Sequence, residues 1–146
     1  MIYVAGYVEG GELVMAGNVP ESLKYSRDHE WVRQSDAVVV VGLTDFAQRQ
    51  LGDIVFVQLP EAGQRVEAGD EFGSVESVKA VSEVYAPVTG QVIEVNQGMN
   101  DDPEKINTDP YGDGWLIKIQ MADAAQATGL LTAAEYTAYT QDTTDS

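Results

Sequence analysis

A single lysine between two strand-like segments is the side chain in this sequence best placed to do chemistry. Two alternating apolar patterns run from Gly73 to Val95, and they predict a β-hairpin with Lys79 at its turn. The chain contains 24 acidic and 8 basic residues, and this isolated lysine does not belong to a basic patch. We therefore expect this amine to be recognised individually. The alternative is an ordinary edge-strand lysine whose charge blocks pairing between sheets.

Other side chains that could act in catalysis or bind a metal lack the neighbouring residues that such a site requires. The absence of cysteine excludes a disulfide scaffold, a thiolate metal site and a cysteine nucleophile. His29 is the only histidine, and we expect a structural or surface role for it rather than proton transfer. The carboxylates at positions 101, 102, 104 and 109 lack EF-hand spacing and are interrupted by Pro103. The sequence therefore predicts neither a metal site nor a catalytic centre.

Seven short apolar runs between turn signals predict the strands that hold the hairpin. Their brevity and β-branched content are typical of strands rather than helices. They are Glu30 to Gln34, Val38 to Leu43, Ile54 to Leu59, Glu71 to Ser77, Val81 to Tyr85, Gln91 to Val95 and Trp115 to Gln120. A first helix is predicted from Thr44 to Leu51, where Thr44 or Asp45 caps the N–H groups and Gly52 ends the helix.

Two further short helices are predicted later in the chain. One begins near Asp102, with Pro103 suited to its first helical position. The other follows the segment Thr132-Ala133-Ala134-Glu135, which has the pattern of a capping box. We expect Tyr136 and Tyr139, three positions apart, to pack on the sheet rather than to bind a ligand.

Composition limits the class of protein and its partners. A length of 146 residues fits one domain that buries its core without disulfides or a structural metal. The net charge of -16 disfavours binding to nucleic acid and to anionic membranes, because both would repel the chain. No apolar run approaches the length of a membrane span. No basic residue precedes Lys24, which argues against a signal or transit peptide, so we expect a cytoplasmic location.

The residues around the lysine resemble the attachment site of lipoyl domains. The match consists of Glu76-Ser77-Val78-Lys79-Ala80, with Gly63 sixteen residues before the lysine and Gly90 eleven residues after it. Biotin carriers typically place their lysine between methionines, whereas its neighbours here are Val78 and Ala80. The resemblance therefore implies lipoate as the covalent cofactor, held as N6-lipoyl-lysine.

Four longer blocks resemble glycine cleavage system H proteins, a family of lipoyl carriers. They are residues 24–32, 42–48, 51–57 and 107–116. The resemblance implies a mainly β fold, a barrel-sandwich hybrid of the hammerhead, lipoyl/biotinyl-like type, in which antiparallel sheets are accompanied by short peripheral helices. It also implies a lipoyl domain at 18–140. Residues 141–146 are polar and acidic, with too little apolar surface to offset the entropy of ordering them, so we expect a flexible tail there. We expect residues 1–17 to be an N-terminal extension, made of upstream-start or cloning-derived residues or of an added hairpin.

The resemblance further implies a non-catalytic carrier whose lipoyl arm is attached to Lys79. Such a carrier shuttles an aminomethyl group from a pyridoxal-phosphate-dependent glycine decarboxylase to a tetrahydrofolate-dependent aminomethyltransferase. It passes electrons to a dihydrolipoyl dehydrogenase, and a lipoate ligase or a lipoyl/octanoyl transferase attaches its cofactor. Glu30, Gln50 and Glu83 are expected to line a cleft for the loaded arm.

Three alternative functions remain open at this stage. The first is an H-like lipoyl carrier of another pathway, such as sulfur oxidation or lipoate relay. The second is a lipoyl domain of a 2-oxo-acid dehydrogenase, although such domains belong to longer chains and commonly have aspartate before the lysine. The third is an enzyme, which the lack of cysteine, of a metal cluster and of a histidine-centred triad disfavours.

Overall fold

The structure is a computed structural model that describes residues 18–145. The hairpin suggested for residues 1–17 lies outside the described residues. The strands are β1 (Lys24–Tyr25), β2 (Glu30–Ser35), β3 (Val38–Leu43), β4 (Ile54–Gln58), β5 (Arg65–Val66), β6 (Glu71–Ser77), β7 (Val81–Tyr85), β8 (Gly90–Val95) and β9 (Ile117–Met121). The α-helices are α1 (Asp45–Leu51), α2 (Lys105–Thr108) and α3 (Ala133–Asp145), and short 3-10 segments span Gln97–Asn100 and Ala124–Gly129.

The strands form two antiparallel sheets that share a core. The larger sheet has the order β1-β2-β3-β9-β8-β5, and the smaller sheet has the order β4-β6-β7. Alternating valine and isoleucine side chains of both sheets form the main core, among them Val41, Val75 and Ile119, which are fully buried. This arrangement confirms the predicted mainly β sandwich with short helices.

The predicted strands are present, with ends that differ by up to two residues. The largest difference is at the last strand, which begins at Ile117 rather than Trp115. The sequence missed β1 and β5 because each has only two residues and so shows no periodic pattern. Both are placed by pairing with a longer neighbour, β1 with β2 and β5 with β8.

Helix α1 forms as predicted, and its two ends have identifiable causes. The hydroxyl of Thr44 accepts a hydrogen bond from the Ala47 N–H at 3.1 Å, so Thr44 rather than Asp45 is the N-cap. Gly52 ends the helix with a φ of 83°, and its N–H donates to the Gln48 carbonyl. This φ lies in the left-handed region, where glycine is tolerated best.

Helix α3 begins with the predicted capping box. The Thr132 N–H donates to the Glu135 carboxylate at 2.9 Å, and the Glu135 N–H donates to the Thr132 hydroxyl at 3.2 Å. Tyr136 is fully buried and stacks on Tyr25, with 4.7 Å between ring centroids. The helix therefore covers β1 through an aromatic contact, which agrees with the predicted packing.

Two helix boundaries differ from the prediction. Helix α2 begins at Lys105, not near Asp102, because the first backbone hydrogen bonds of this segment run three residues back, from the Lys105 N–H to the Asp102 carbonyl and from the Ile106 N–H to the Pro103 carbonyl. Helix α3 continues to Asp145, past the predicted start of the tail at 141, since each added residue gains a hydrogen bond once a helix exists. Among the described residues, no helix has both the length and the apolar character needed to cross a membrane.

Candidate functional site

Lys79 is exposed at the tip of the hairpin between β6 and β7. The last paired residues of the two strands are Glu76 and Val81. Residues 77–80 form the turn, and the Ser77 N–H donates to the Ala80 carbonyl at 2.8 Å. The alternating pattern of the two strands therefore places the lysine where the sequence predicted it.

The hydroxyl of Ser77 holds this turn together from within. It accepts hydrogen bonds from the N–H groups of Lys79 at 3.2 Å and Ala80 at 3.1 Å, and it donates to the Ala80 carbonyl at 3.2 Å. A serine that bonds to backbone groups two and three residues ahead stabilises a turn without help from the rest of the fold. Because Ser77 is buried, the backbone under the exposed lysine is fixed while its amine reaches solvent.

A second loop supports the turn from outside. The Val78 N–H donates to the Asp53 carbonyl at 3.1 Å, in the connection between α1 and β4. Asn107 holds that connection by accepting from the Ile54 N–H and donating to the Gly52 carbonyl, both at 2.9 Å. The amide of Asn107 thus positions the loop on which the lysine turn rests.

The aliphatic part of Lys79 lies over Gly52. A Cβ atom at Gly52 would be 3.7 Å from the Lys79 Cε, which is ordinary van der Waals contact. The lysine side chain therefore runs across the C-terminal end of α1. Leu51, the residue before Gly52, lines a neighbouring cleft.

This cleft has a volume of about 250 Å³ and an apolar floor with a polar rim. Its floor consists of Leu43, Phe46, Ala47 and Leu51, and its polar groups are Asp28, His29, Gln50, Ser82 and Glu83. Gln50 and Glu83, two of the three predicted cleft residues, are therefore brought together here. Their contact with a loaded arm stays a prediction.

Glu30, the third predicted cleft residue, does not line the cleft. Its side chain is 1% exposed, and its carboxylate accepts hydrogen bonds from the Ser26 hydroxyl at 2.5 Å and the Tyr85 N–H at 3.1 Å. Burial raises the pKa of Glu30 to about 7, although both hydrogen bonds favour the charged form. Its two carboxylate oxygens bond to Ser26 and Tyr85 and so join β2 to the end of β7, while its contact with a loaded arm stays a prediction.

His29 has a fixed position at the side of the same cleft. Its Nδ1 is 2.8 Å from the Tyr136 hydroxyl, and its ring lies 4.8 Å from that of Phe46. Burial lowers the pKa of His29, so the neutral imidazole is favoured. These contacts agree with the structural role expected from the sequence.

The sequence did not identify several residues that build the site. Asn107 and Phe46 lie in blocks that carried the family resemblance, but neither has a pattern that reveals its contacts. Asn107 bonds to groups more than fifty residues away in the chain. Only the fold brings such partners together, and a chemically unremarkable asparagine gives no signal on its own.

The site consists of one exposed lysine on a fixed turn and an adjoining cleft. Among the side chains that the structure describes, residues 18–141, no group of three or more potential metal ligands occurs. A β-sandwich with one exposed lysine at a rigid hairpin tip, next to a cleft with an apolar floor, defines a carrier domain for a covalently attached arm.

The family described as glycine cleavage H-protein matches residues 23–143. The glycine cleavage system H protein of Myxococcus xanthus (strain DK1622) is 52% identical over 128 residues, covering 88% of this chain and 99% of that protein. Its counterpart in Bacillus cereus (strain AH820) is 53% identical over 119 residues, covering 82% of this chain and 94% of that protein. The crystal structure of a glycine cleavage system H protein from Mycobacterium marinum has a TM-score of 0.77 and 46% identity, covering 83% of this chain and 98% of that chain.

The chain therefore belongs to the glycine cleavage H-protein family. This confirms the resemblance drawn from the sequence, and the comparisons favour glycine cleavage over a lipoyl carrier of another pathway.

Proposed function

We propose that this protein is the lipoyl carrier of a glycine cleavage system and that Lys79 holds the lipoyl group through an amide bond. The observation that carries this proposal is the exposed Lys79 amine on a turn fixed by Ser77 and by the Asp53 carbonyl. Glu76, Val78 and Ala80 complete the attachment motif. An arm on a rigid base is confined to a small volume, which raises its effective concentration at each partner's active site.

The cleft beside Lys79 fits an arm of this chemistry. Lipoate supplies an aliphatic chain and a redox-active dithiolane, which can take up an aminomethyl group and electrons. The aliphatic part matches the apolar floor around Phe46 and Leu51, and the Lys79 Cε lies close to Gly52, the residue after Leu51. This floor would shelter a loaded arm from water between partners.

The rim of the cleft is suited to a positively charged cargo. The carboxylates of Asp28 and Glu83 both line it, together with the Gln50 amide. An aminomethyl adduct carries an ammonium group at neutral pH, and charge-assisted hydrogen bonds to carboxylates are stronger than neutral ones. We assign the anchoring role to Glu83 and Asp28, with Gln50 as a neutral hydrogen-bonding neighbour.

The proposed partners are the other components of glycine cleavage. They are a pyridoxal-phosphate-dependent glycine decarboxylase, a tetrahydrofolate-dependent aminomethyltransferase and a dihydrolipoyl dehydrogenase, with a lipoate ligase or lipoyl/octanoyl transferase for attachment. The carrier itself is proposed to be non-catalytic and cytoplasmic. We propose residues 18–140 as the lipoyl domain, preceded by an extension at 1–17 and followed by an acidic tail at 141–146.

Intact-mass measurement with peptide mapping tests the proposal. Protein purified from its native host under lipoate-replete conditions should carry one lipoyl group, located on Lys79. A Lys79→Arg variant keeps the charge but cannot form the same acyl-lysine, so it should remain unmodified and should not support glycine cleavage. An unmodified Lys79 in the native protein would refute the carrier mechanism and favour the edge-strand interpretation of this lysine.

A further inference from the structure

The large exposed apolar side chains of this protein are concentrated around Lys79. Among residues 18–141 five large hydrophobic side chains are exposed, namely Val55 at 50%, Phe56 at 55%, Val78 at 70%, Val81 at 63% and Ile93 at 41%. The first four lie on β4, at the start of β7 or in the lysine turn. Only Ile93, on β8 of the larger sheet, is elsewhere.

Strand register places two of these side chains in one row on the outer face of the smaller sheet. Phe56 pairs with Glu76, and Glu76 pairs with Val81. Residues directly opposite each other on neighbouring strands point to the same face, and their Cβ atoms lie about 5 Å apart. Phe56, Glu76 and Val81 therefore form an apolar-acidic-apolar row across three strands, which we call the tip row.

Packing within the protein does not explain the tip row. The opposite face of the same strands supplies Val57, Val75 and Val84 to the core, and each of these is at most 4% exposed. Phe56 and Val81, on the outer face, bury little apolar surface, so polar residues at these positions would not weaken the core. Exposed side chains such as Phe56 and Val81 beside Lys79 are typical of a surface that binds another protein.

We propose that the tip row, together with Val78, is the docking surface for the enzyme that attaches the lipoyl group to Lys79. This inference rests on the proposed function. The attaching enzyme must bring its active site to the lysine amine, which is only four methylene groups from the backbone. It must therefore cover the residues beside the turn. Enzymes that act on the distal ring of the finished arm work farther away and have less need of these residues.

The chemistry of the transfer requires this close approach. The deprotonated Nζ forms a bond to the carbonyl carbon of an activated acyl donor, such as an acyl-adenylate or an acyl thioester. The bond between that carbon and the donor breaks, the leaving group takes the electron pair, and the proton from nitrogen passes to a base. Water competes for the same carbonyl, so the enzyme must seal its active site against the surface around Lys79.

The tip row also indicates the chemistry of the partner surface. A complementary partner surface would have a basic group opposite Glu76 and an apolar pocket on each side of it, one for Phe56 and one for Val81. Asp53, next to the turn, is also exposed and adds to the negative charge on this side. A basic rim on the enzyme would be attracted by the net charge of -16 during encounter.

Enzymatic modification of the unlipoylated full-length chain tests this proposal. The probe is an ATP-dependent lipoate ligase supplied with ATP and lipoate, and the readout is the lipoyl mass on Lys79 over a range of carrier concentrations. Phe56→Gln should lower kcat/KM at least about tenfold, mainly through KM, and Val81→Thr should lower it by a smaller factor. Ile93→Gln, which changes an isolated exposed residue elsewhere, should leave both parameters unchanged.

A chemical reaction separates docking from reactivity of the amine. Acylation of Lys79 by an N-hydroxysuccinimide ester of a short acid needs no docking surface and should proceed equally in wild type, Phe56→Gln and Ile93→Gln. A drop in this reaction for Phe56→Gln would mean that the turn had been distorted, which would overturn the docking interpretation.

The outcomes distinguish this inference from the proposed function. Normal ligase kinetics for Phe56→Gln, with wild-type Lys79 modified, would overturn the docking proposal and leave the carrier function intact. Normal lipoylation of Phe56→Gln followed by impaired exchange with glycine decarboxylase would overturn it as well, by assigning the row to that enzyme. Failure of the ligase to modify wild-type Lys79 at all would instead count against the carrier function itself.

Discussion

The buried carboxyl of Glu30 makes a testable contribution to the pH dependence of stability. Burial raises its pKa from the ordinary value of 4.5 to about 7. Between these two pH values the folded state keeps the proton that the unfolded state releases. The free energy of unfolding therefore falls as the pH rises from 4.5 to about 7, and this contribution levels off above that range.

The size of the effect follows from the width of this range. Each pH unit over which only the folded state holds the proton changes the free energy of unfolding by about 1.4 kcal/mol. Over the range from 4.5 to about 7, ionisation of Glu30 therefore removes roughly 3 kcal/mol of stability. Glu30→Gln has nearly the same shape, cannot ionise and so lacks this contribution.

Denaturant unfolding of both proteins at pH 4.5, 5.5, 6.5 and 8 measures the effect. The stability of Glu30→Gln relative to wild type should rise by roughly 3 kcal/mol across this series, because other titrating groups cancel in the difference. A flat difference across the series for Glu30→Gln would refute the reasoning, since the carboxyl would then titrate alike in both states.

Three other substitutions test contacts described above. Asn107→Ala should cost roughly 2 to 4 kcal/mol and speed hydrogen exchange at the Val78 N–H, because the loop that accepts that bond loses its support; unchanged exchange would contradict the positioning role. Tyr136→Phe removes a buried hydroxyl that lies between Thr44 and the imidazole of the only histidine, so thermal unfolding should show a loss of about 1 to 3 kcal/mol, and an unaltered Tm would show that these bonds contribute nothing net. Gly90→Ala would place a Cβ atom 2.1 Å from the backbone oxygen of Gln120, so β8 and β9 would have to separate; circular dichroism should show a lower Tm, and a variant as stable as wild type would contradict this close packing.

The hairpin and the lysine were predictable because their signals are local. Alternation of apolar and polar residues identified β6 and β7, and the one residue between them with a reactive amine was Lys79. The capping box at Thr132 and the cap at Thr44 were also readable, because the atoms that bond lie within three residues of each other. Such short-range hydrogen bonds depend on neighbouring residues in the sequence and not on the tertiary fold, so they can be predicted from the sequence.

The position of Glu30 could not be predicted from alternation. In β2 the residues Glu30, Trp31 and Val32 are all buried in succession, which breaks the period of two. The Glu30 carboxylate bonds to Ser26, which precedes β2, and to Tyr85, which lies on β7 of the other sheet. A rule that assumes one solvent-facing side of a strand fails where both faces are covered.

The floor of the cleft was hidden for a different reason. Its apolar side chains come from β3 and α1, whereas Ser82 and Glu83 come from β7. Each of these residues has an ordinary role in its own element, and only the packing of α1 beside the lysine hairpin makes a surface of them. Sequence patterns describe elements one at a time, so a surface shared between elements gives no signal.

The closure of the lysine turn by Ser77 has a consequence for the order of events in the cell. The four hydrogen bonds that define residues 77–80 use backbone groups and one serine hydroxyl, and none uses the Lys79 amine. Acylation, which abolishes the charge of that amine, therefore leaves the turn as it was. The chain can finish folding before it is modified, and it offers the same scaffold whether the arm is missing, empty or loaded. A partner that distinguishes these states has to contact the arm itself, because the conformation of the turn is the same in all of them.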